Sequence, residues 1–162
     1  MRDAPHPITM WGLTMWLALI ATGWLMLKPR LHEQQPALSV VLHLTLALPF
    51  VALARLFLVN DTSVMHVAAF GGEDLPLKYR FAATWAAREG PLLMWLGWMS
   101  LVAWLWRRPL PGEAGATVDA QATRLRLMHL MSLTLLLIAF SLDPFKETPA
   151  FFMGAGLNPL LQ

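Results

Sequence analysis

The chain has 162 residues, of which 57% are hydrophobic and 14% charged, whereas a soluble domain carries about 45–50% apolar and about 25% charged residues. That composition excludes an ordinary water-soluble globule and points to a membrane protein. A net charge of +2 gives no basis for a nucleic-acid partner, and with no cysteine there is no disulfide, thiolate ligand or cysteine nucleophile.

The N-terminus MRDAPHPITMW lacks the basic start and small-residue cleavage site of a secretory signal, and the apolar run that follows is too long for one. Residues 8–27 (ITMWGLTMWLALIATGWLML) are expected to span the membrane, since twenty helical residues cover about 30 Å. KPRLHEQQP ends that run, and a second follows at 37–59, interrupted by His43, Pro49 and Arg55. The third run, 81–106, contains Arg88 and Glu89 followed at once by Gly90 and Pro91. Pro91 cannot donate to the carbonyl of Ala87 and is best tolerated in a first helical turn. A break near 90–91 is therefore expected, with the crossing helix starting near Gly90 and AATWAAR forming a short helix or kinked turn at the surface. Glu89 then stands at a helix N-terminus, which stabilises a carboxylate. RRPLPGEAGATVDAQATR reads as a loop, 124–142 as the fourth helix, and 143–162 as a non-helical tail.

The expected fold is an all-α integral membrane protein, a single domain over 1–162 with four transmembrane helices in one bundle. Lys28, Arg30, Arg107, Arg108, Arg124 and Arg126 fall at one side, against Arg2, Lys78, Arg80 and Lys146 at the other. The positive-inside rule then puts both termini and the 60–80 loop outside.

Ionisable groups in such a chain are candidates for function. His43 and His129 lie at similar depth from the inner side and could ligate a b-type haem from both faces; the plainer reading is two interfacial histidines bonded to carbonyls or water. His66 is expected to be solvated. Asn60-Asp61-Thr62 fits a glycosylation sequon, and Arg55 is expected to snorkel outward. Trp95 and Trp98 are expected to pack, with Trp104 and Trp106 in an interfacial belt. There is no catalytic Ser/His/Asp set, no metal-spaced cluster and no phosphate-binding glycine loop.

Three stretches carry a resemblance. LPLKYRFAATWAAREGPLLMW (75–95) resembles a segment of CcmF/NrfE-type cytochrome c haem lyases that reads LP..YR.AATW...EGSLLLW. FLVNDTSVMHVA (57–68) resembles their V.ND..V.YVA, and the tail DPFKETPAFFMGAGLNPLLQ resembles NPF......EGRDLNPLLQ. Order and spacing agree from about Leu48 onward, and the earlier part matches only in character.

The resemblance implies the N-terminal part of this cytochrome c biogenesis family. The longer family members carry their WWD loop and haem-ligand histidines beyond LNPLLQ, so none of the five histidines here inherits a ligand role. Tyr79, Arg80, Trp85, Glu89, Gly90, Asn158, Pro159 and Gln162 are the positions it assigns to the wall of an outer haem cavity. Departures are Ala86 for glycine, Pro91 for serine and MGAG at 153–156 for EGRD. The expectation is one module of a split or truncated haem lyase, inactive alone. Its haem would be held in the assembled complex, with a WWD-containing polypeptide and apocytochrome c as partners, in a bacterial or organellar inner membrane. The alternative is a non-catalytic structural subunit of a larger respiratory or photosynthetic complex.

Overall fold

The computed structural model describes residues 10–108 and 118–149, and the regular elements among them are all helices, without a strand. Helix α1 spans Leu13–Leu27, α2 Leu31–Gln34, α3 Pro36–Thr45 and α4 Leu48–Val59. Two short helices follow, α5 at Met65–Phe70 and α6 at Leu77–Ala83. Helix α7 spans Glu89–Leu105 and α8 Val118–Leu142.

The expected second span, 37–59, is two helices. Pro49 brings no N–H to the carbonyl of Thr45 and its ring crowds that oxygen, so the chain breaks at 46–47 and α3 and α4 meet at a 45° bend. The break expected near 90–91 is present, but the residues before it are organised differently. α6 stops at Ala83, turns occupy 84–88, and α7 begins at Glu89 with Pro91 in its first turn. At the other end α8 begins at Val118, inside the expected loop.

Among the described residues, one helix, α8, is long and apolar enough to cross a membrane, or two spans if the bent α3–α4 pair counts as one. Four were expected. α1 and α7, with 15 and 17 residues, rise about 22 and 25 Å, less than a hydrocarbon core of about 30 Å.

Helix α8 packs against α1 and α7, and those two also pack against α3 and α4. The seams follow heptad spacing. Met15, Ala18, Thr22 and Leu25 are buried on α1, and Leu93, Leu96, Ser100 and Ala103 on α7. On α8 the buried row is Ala122, Leu125, His129, Ser132, Leu136 and Ala139. Steps of three and four keep one seam facing its neighbours, and the alanines and serines let backbones approach closely, as between helices in lipid. Facing outward are Trp16, Ile20 and Trp24 on α1, Leu101 and Leu105 on α7, and Leu130 and Leu137 on α8. An apolar surface of that extent suits hydrocarbon, not water.

The described part of the tail is tied to the 60s loop. Met65 N–H donates to the Lys146 carbonyl (2.9 Å) and Thr148 N–H to that of Ser63 (2.8 Å). The Thr148 hydroxyl donates to the Thr62 carbonyl (2.7 Å). Phe145 is buried beneath this seam.

Candidate cavity wall between α5, α6 and α7

The break between α6 and α7 is made by backbone. Thr84, Trp85 and Ala86 donate their N–H groups to the carbonyls of Phe81, Ala82 and Ala83 (2.9–3.1 Å), tightening the chain into successive turns. The reversal brings the Thr84 carbonyl against Gly90, so close that a β-carbon there would lie 1.7 Å from its oxygen. Only glycine fits, and Glu89 is thereby fixed at the first residue of α7.

Glu89 points into the protein. Its Oε2 lies 3.8 Å from His66 Nδ1, and both side chains are largely buried. The expectation of a solvated His66 is corrected: α5 folds the ring inward to 8% exposure. It lies edge-on to Phe57 and Phe70, with centroids at 5.4 and 5.3 Å. Burial lowers its pKa, and the Glu89 carboxylate offsets part of that drop. Asn60 Oδ1, His66 Nε2, Thr84 Oγ1 and Glu89 Oε2 are buried without a hydrogen-bond partner among the described residues. Each such group costs about 1–3 kcal/mol unless something pairs with it. Asn60 is the left-handed C-cap of α4 (φ 54°), so its buried amide oxygen disfavours the sequon reading.

The other cavity-wall candidates separate into different roles. Trp85 packs edge-on against Phe50 and Phe81 (5.8 and 5.0 Å) and lines a groove of about 640 Å³ between α3–α4 and α7. Tyr79 is exposed, with the Lys78 ammonium 4.9 Å from its ring centre. Arg80 is a staple: its guanidinium donates to the carbonyls of Leu75 (2.9 Å), Leu58 (3.3 Å) and Glu73 (2.5 Å). Asn158, Pro159 and Gln162 lie outside the described residues.

The groove exists because of the bend at Pro49. Its wall is apolar and aromatic, with Trp98 and Trp104 along α7 and only His43 and Ser100 polar. The expectation that Trp95 and Trp98 pack inside is corrected, since they are 56% and 55% exposed. Their positions alternate with the buried seam, so they face lipid or another protein. Trp104 and Trp106 carry Arg107 and Arg124 over their rings at 3.7 and 5.8 Å, in keeping with an interfacial belt. Arg55 lies 5.1 Å over the Trp11 ring.

His43 and His129 do meet. Their ring centroids are 5.4 Å apart at 61°, and both rings are buried. His43 Nδ1 lies 2.7 Å from the Ser39 carbonyl, which can only accept, so Nδ1 carries the proton. The Ser100 hydroxyl donates to the His43 carbonyl (2.8 Å). Bis-imidazole ligation needs a flat macrocycle between two opposed rings. Rings in direct edge contact leave no gap for one, so this pair does not fit a haem. His66, enclosed by two phenylalanines, offers no open ligand position either.

Nothing in residue type or spacing marks Thr84, Asn60 and His66 as parts of this end. The clue was that all three sit inside the stretches that carry the resemblance.

Comparison with curated proteins agrees with those stretches. The chain is 40% identical over 129 residues to "Cytochrome c-type biogenesis protein CcmF" of Escherichia coli, covering 75% of this chain and 19% of that protein. It is 34% identical over 122 residues to a probable NrfE of Escherichia coli (72% and 21% covered). With NrfE of Haemophilus influenzae the identity is 33% over 149 residues (90% and 23%). The chain thus spans about a fifth of the length of these relatives. No protein-family model matches it, and no solved structure gives a significant match.

Proposed function

The chain is a homologue of part of the CcmF/NrfE-type cytochrome c biogenesis proteins, and from that premise we propose that it is the N-terminal module of a split or truncated haem lyase. In this reading it scaffolds thioether attachment of haem to apocytochrome c at the outer face. The observation that carries it is the meeting of the three resembling stretches at one end of the bundle. Asn60 and His66, Thr84 and Glu89, and the 143–149 tail come from separate parts of the sequence and are joined there. Asn60, Thr84 and Glu89 match the resembling motifs, whereas His66 stands where the motif has tyrosine, and use of that end as a cavity wall accounts for the matched positions better than three independent anchors.

Haem supplies the vinyl group that accepts the cysteine sulfur. The described histidines do not fit a haem, and in this reading its ligands are donated by a second, WWD-containing polypeptide. This chain's own part is steric: Gly90 and the turns before it fix the wall, Trp85 presents an aromatic edge, and Arg80 holds the loop beneath. Four crossings in an inner membrane, with α1 and α7 extended by flanking residues and both termini outside, are the topology this role requires.

The second reading is a non-catalytic membrane subunit descended from the same family. It is favoured by the exposed Trp95 and Trp98 face, which suits a large neighbour, and by the replacement of the family's charged EGRD with MGAG.

Purification from the native membrane in mild detergent separates the two. A WWD-bearing polypeptide and haem in the same particle support the lyase module. A respiratory or photosynthetic complex in fixed ratio supports the subunit. The chain alone is expected to attach no haem to apocytochrome c, and clear attachment would overturn the proposal.

A further inference from the structure

At the opposite end of the bundle, the turn after α1, helix α2 and the first turns of α8 enclose a pocket of about 360 Å³. Its polar wall is Lys28, Arg30, Gln34, Asp119, Thr123 and Arg126. Among the described residues lining it, three cations meet one carboxylate. That carboxylate, Asp119, is 3.2 Å from Arg30 and almost fully exposed. Lys28 and Arg126 are left as an excess of positive charge.

Two apolar rows run from this pocket along the bundle. On α1 they are Leu27, Trp24 and Ile20, and on α8 Leu127 and Leu130, all solvent-exposed. Steps of three and four keep each row on one helix face, and α1 and α8 lie side by side. A basic, hydrogen-bonding pocket beside exposed apolar helix faces matches one kind of ligand. Basic pockets between helices at the inner surface bind anionic lipid headgroups.

We propose that this pocket binds the phosphodiester of an anionic phospholipid, with its acyl chains along the rows of α1 and α8. Lys28 and Arg126 contact the phosphate, and Gln34 and Thr123 offer donors to its oxygens. A zwitterionic headgroup brings its own ammonium into the same cationic site and is disfavoured. Inorganic phosphate shares the headgroup chemistry but gains nothing from the apolar rows. The inference is independent of whether the chain serves a lyase.

The test is native mass spectrometry of the full chain in mild detergent, titrated with phosphatidylglycerol or with phosphatidylethanolamine of the same acyl composition. Phosphatidylglycerol is expected to be retained preferentially. The double variant K28Q/R126Q should weaken its binding roughly 25-fold, about fivefold per cation. Asp119→Asn, which removes the pocket's carboxylate, should tighten it, and Lys78→Gln at the other end should leave it unchanged. Equal retention of the two lipids overturns the proposal, as does unaltered binding in both pocket variants. Displacement of the lipid by millimolar inorganic phosphate would assign the site to free phosphate instead and overturn the lipid.

Discussion

The carbonyl oxygen of Thr84 occupies the place that a β-carbon on residue 90 would need, 1.7 Å away. The obstructing atom is main chain and is locked by the turns at 84–86, so it cannot swing aside as a side-chain tip would. Gly90→Ala must push α6 away from the start of α7, at a cost of about 3 kcal/mol. Thermal unfolding in detergent should show the loss, and Ala86→Gly, at a position without such a contact, should show almost none. A stable G90A protein with an unchanged melting temperature would refute the close approach.

His66 predicts a pH dependence. Its folded pKa is lowered by burial, below the unfolded value of about 6.5. Above that value both states are neutral at this ring and it contributes nothing to pH sensitivity. As pH falls below about 6.5 the unfolded chain takes up the proton first, so stability is lost with acidification. The Glu89 carboxylate moderates the loss, and Glu89→Gln should deepen it. His66→Phe should flatten the profile between pH 7.5 and 5.5 relative to the unmodified protein. If the three profiles superimpose, the ring is not buried beside Glu89.

Arg80 should behave as a tether rather than as a contact residue. Arg80→Ala removes three bonds from a guanidinium to main-chain carbonyls. Partial solvation reduces their worth, leaving about 2 kcal/mol. Limited proteolysis should report faster cutting at 71–76 in the variant. Arg80→Lys keeps the charge but lacks the planar fork, so it should rescue little.

Pro49 sets the 45° bend that opens the groove. Pro49→Ala restores the donor to Thr45 and lets α3 and α4 form one straighter helix. Spin labels at Val41 and Val59, both exposed, should then move apart by about 2 Å, from the helical rise along the two arms. An unchanged distance would mean that packing against α1 and α7, not the proline, imposes the bend.

Much of this was legible in the residues themselves. Apolar composition dictated helices in a membrane-type chain, and Pro91 dictated that a helix begin close to it, because a residue without an N–H belongs in a first turn. The three resembling stretches named the family. Pro49 alone does not decide between a kinked span and two helices, since a proline inside an apolar run can either kink or break a helix.

The tertiary structure decided which face of each helix turns inward. In α1 and α7 nearly every position is apolar, so periodicity cannot choose a face, and α8 buries His129 and Ser132 while Leu127 and Leu137 face outward. The choice falls to small and polar residues such as Ala18, Ser100, Ser132 and His129, which lose least when backbones close together. His66 and Arg80 are the sharpest cases. Both look like surface polar groups in sequence, but a short helix turns one against Phe57 and Glu89, and the other finds two carbonyls of the preceding loop and that of Leu58, 22 residues away. Sequence fixes what each side chain can bond to; only the folded chain brings those partners within reach.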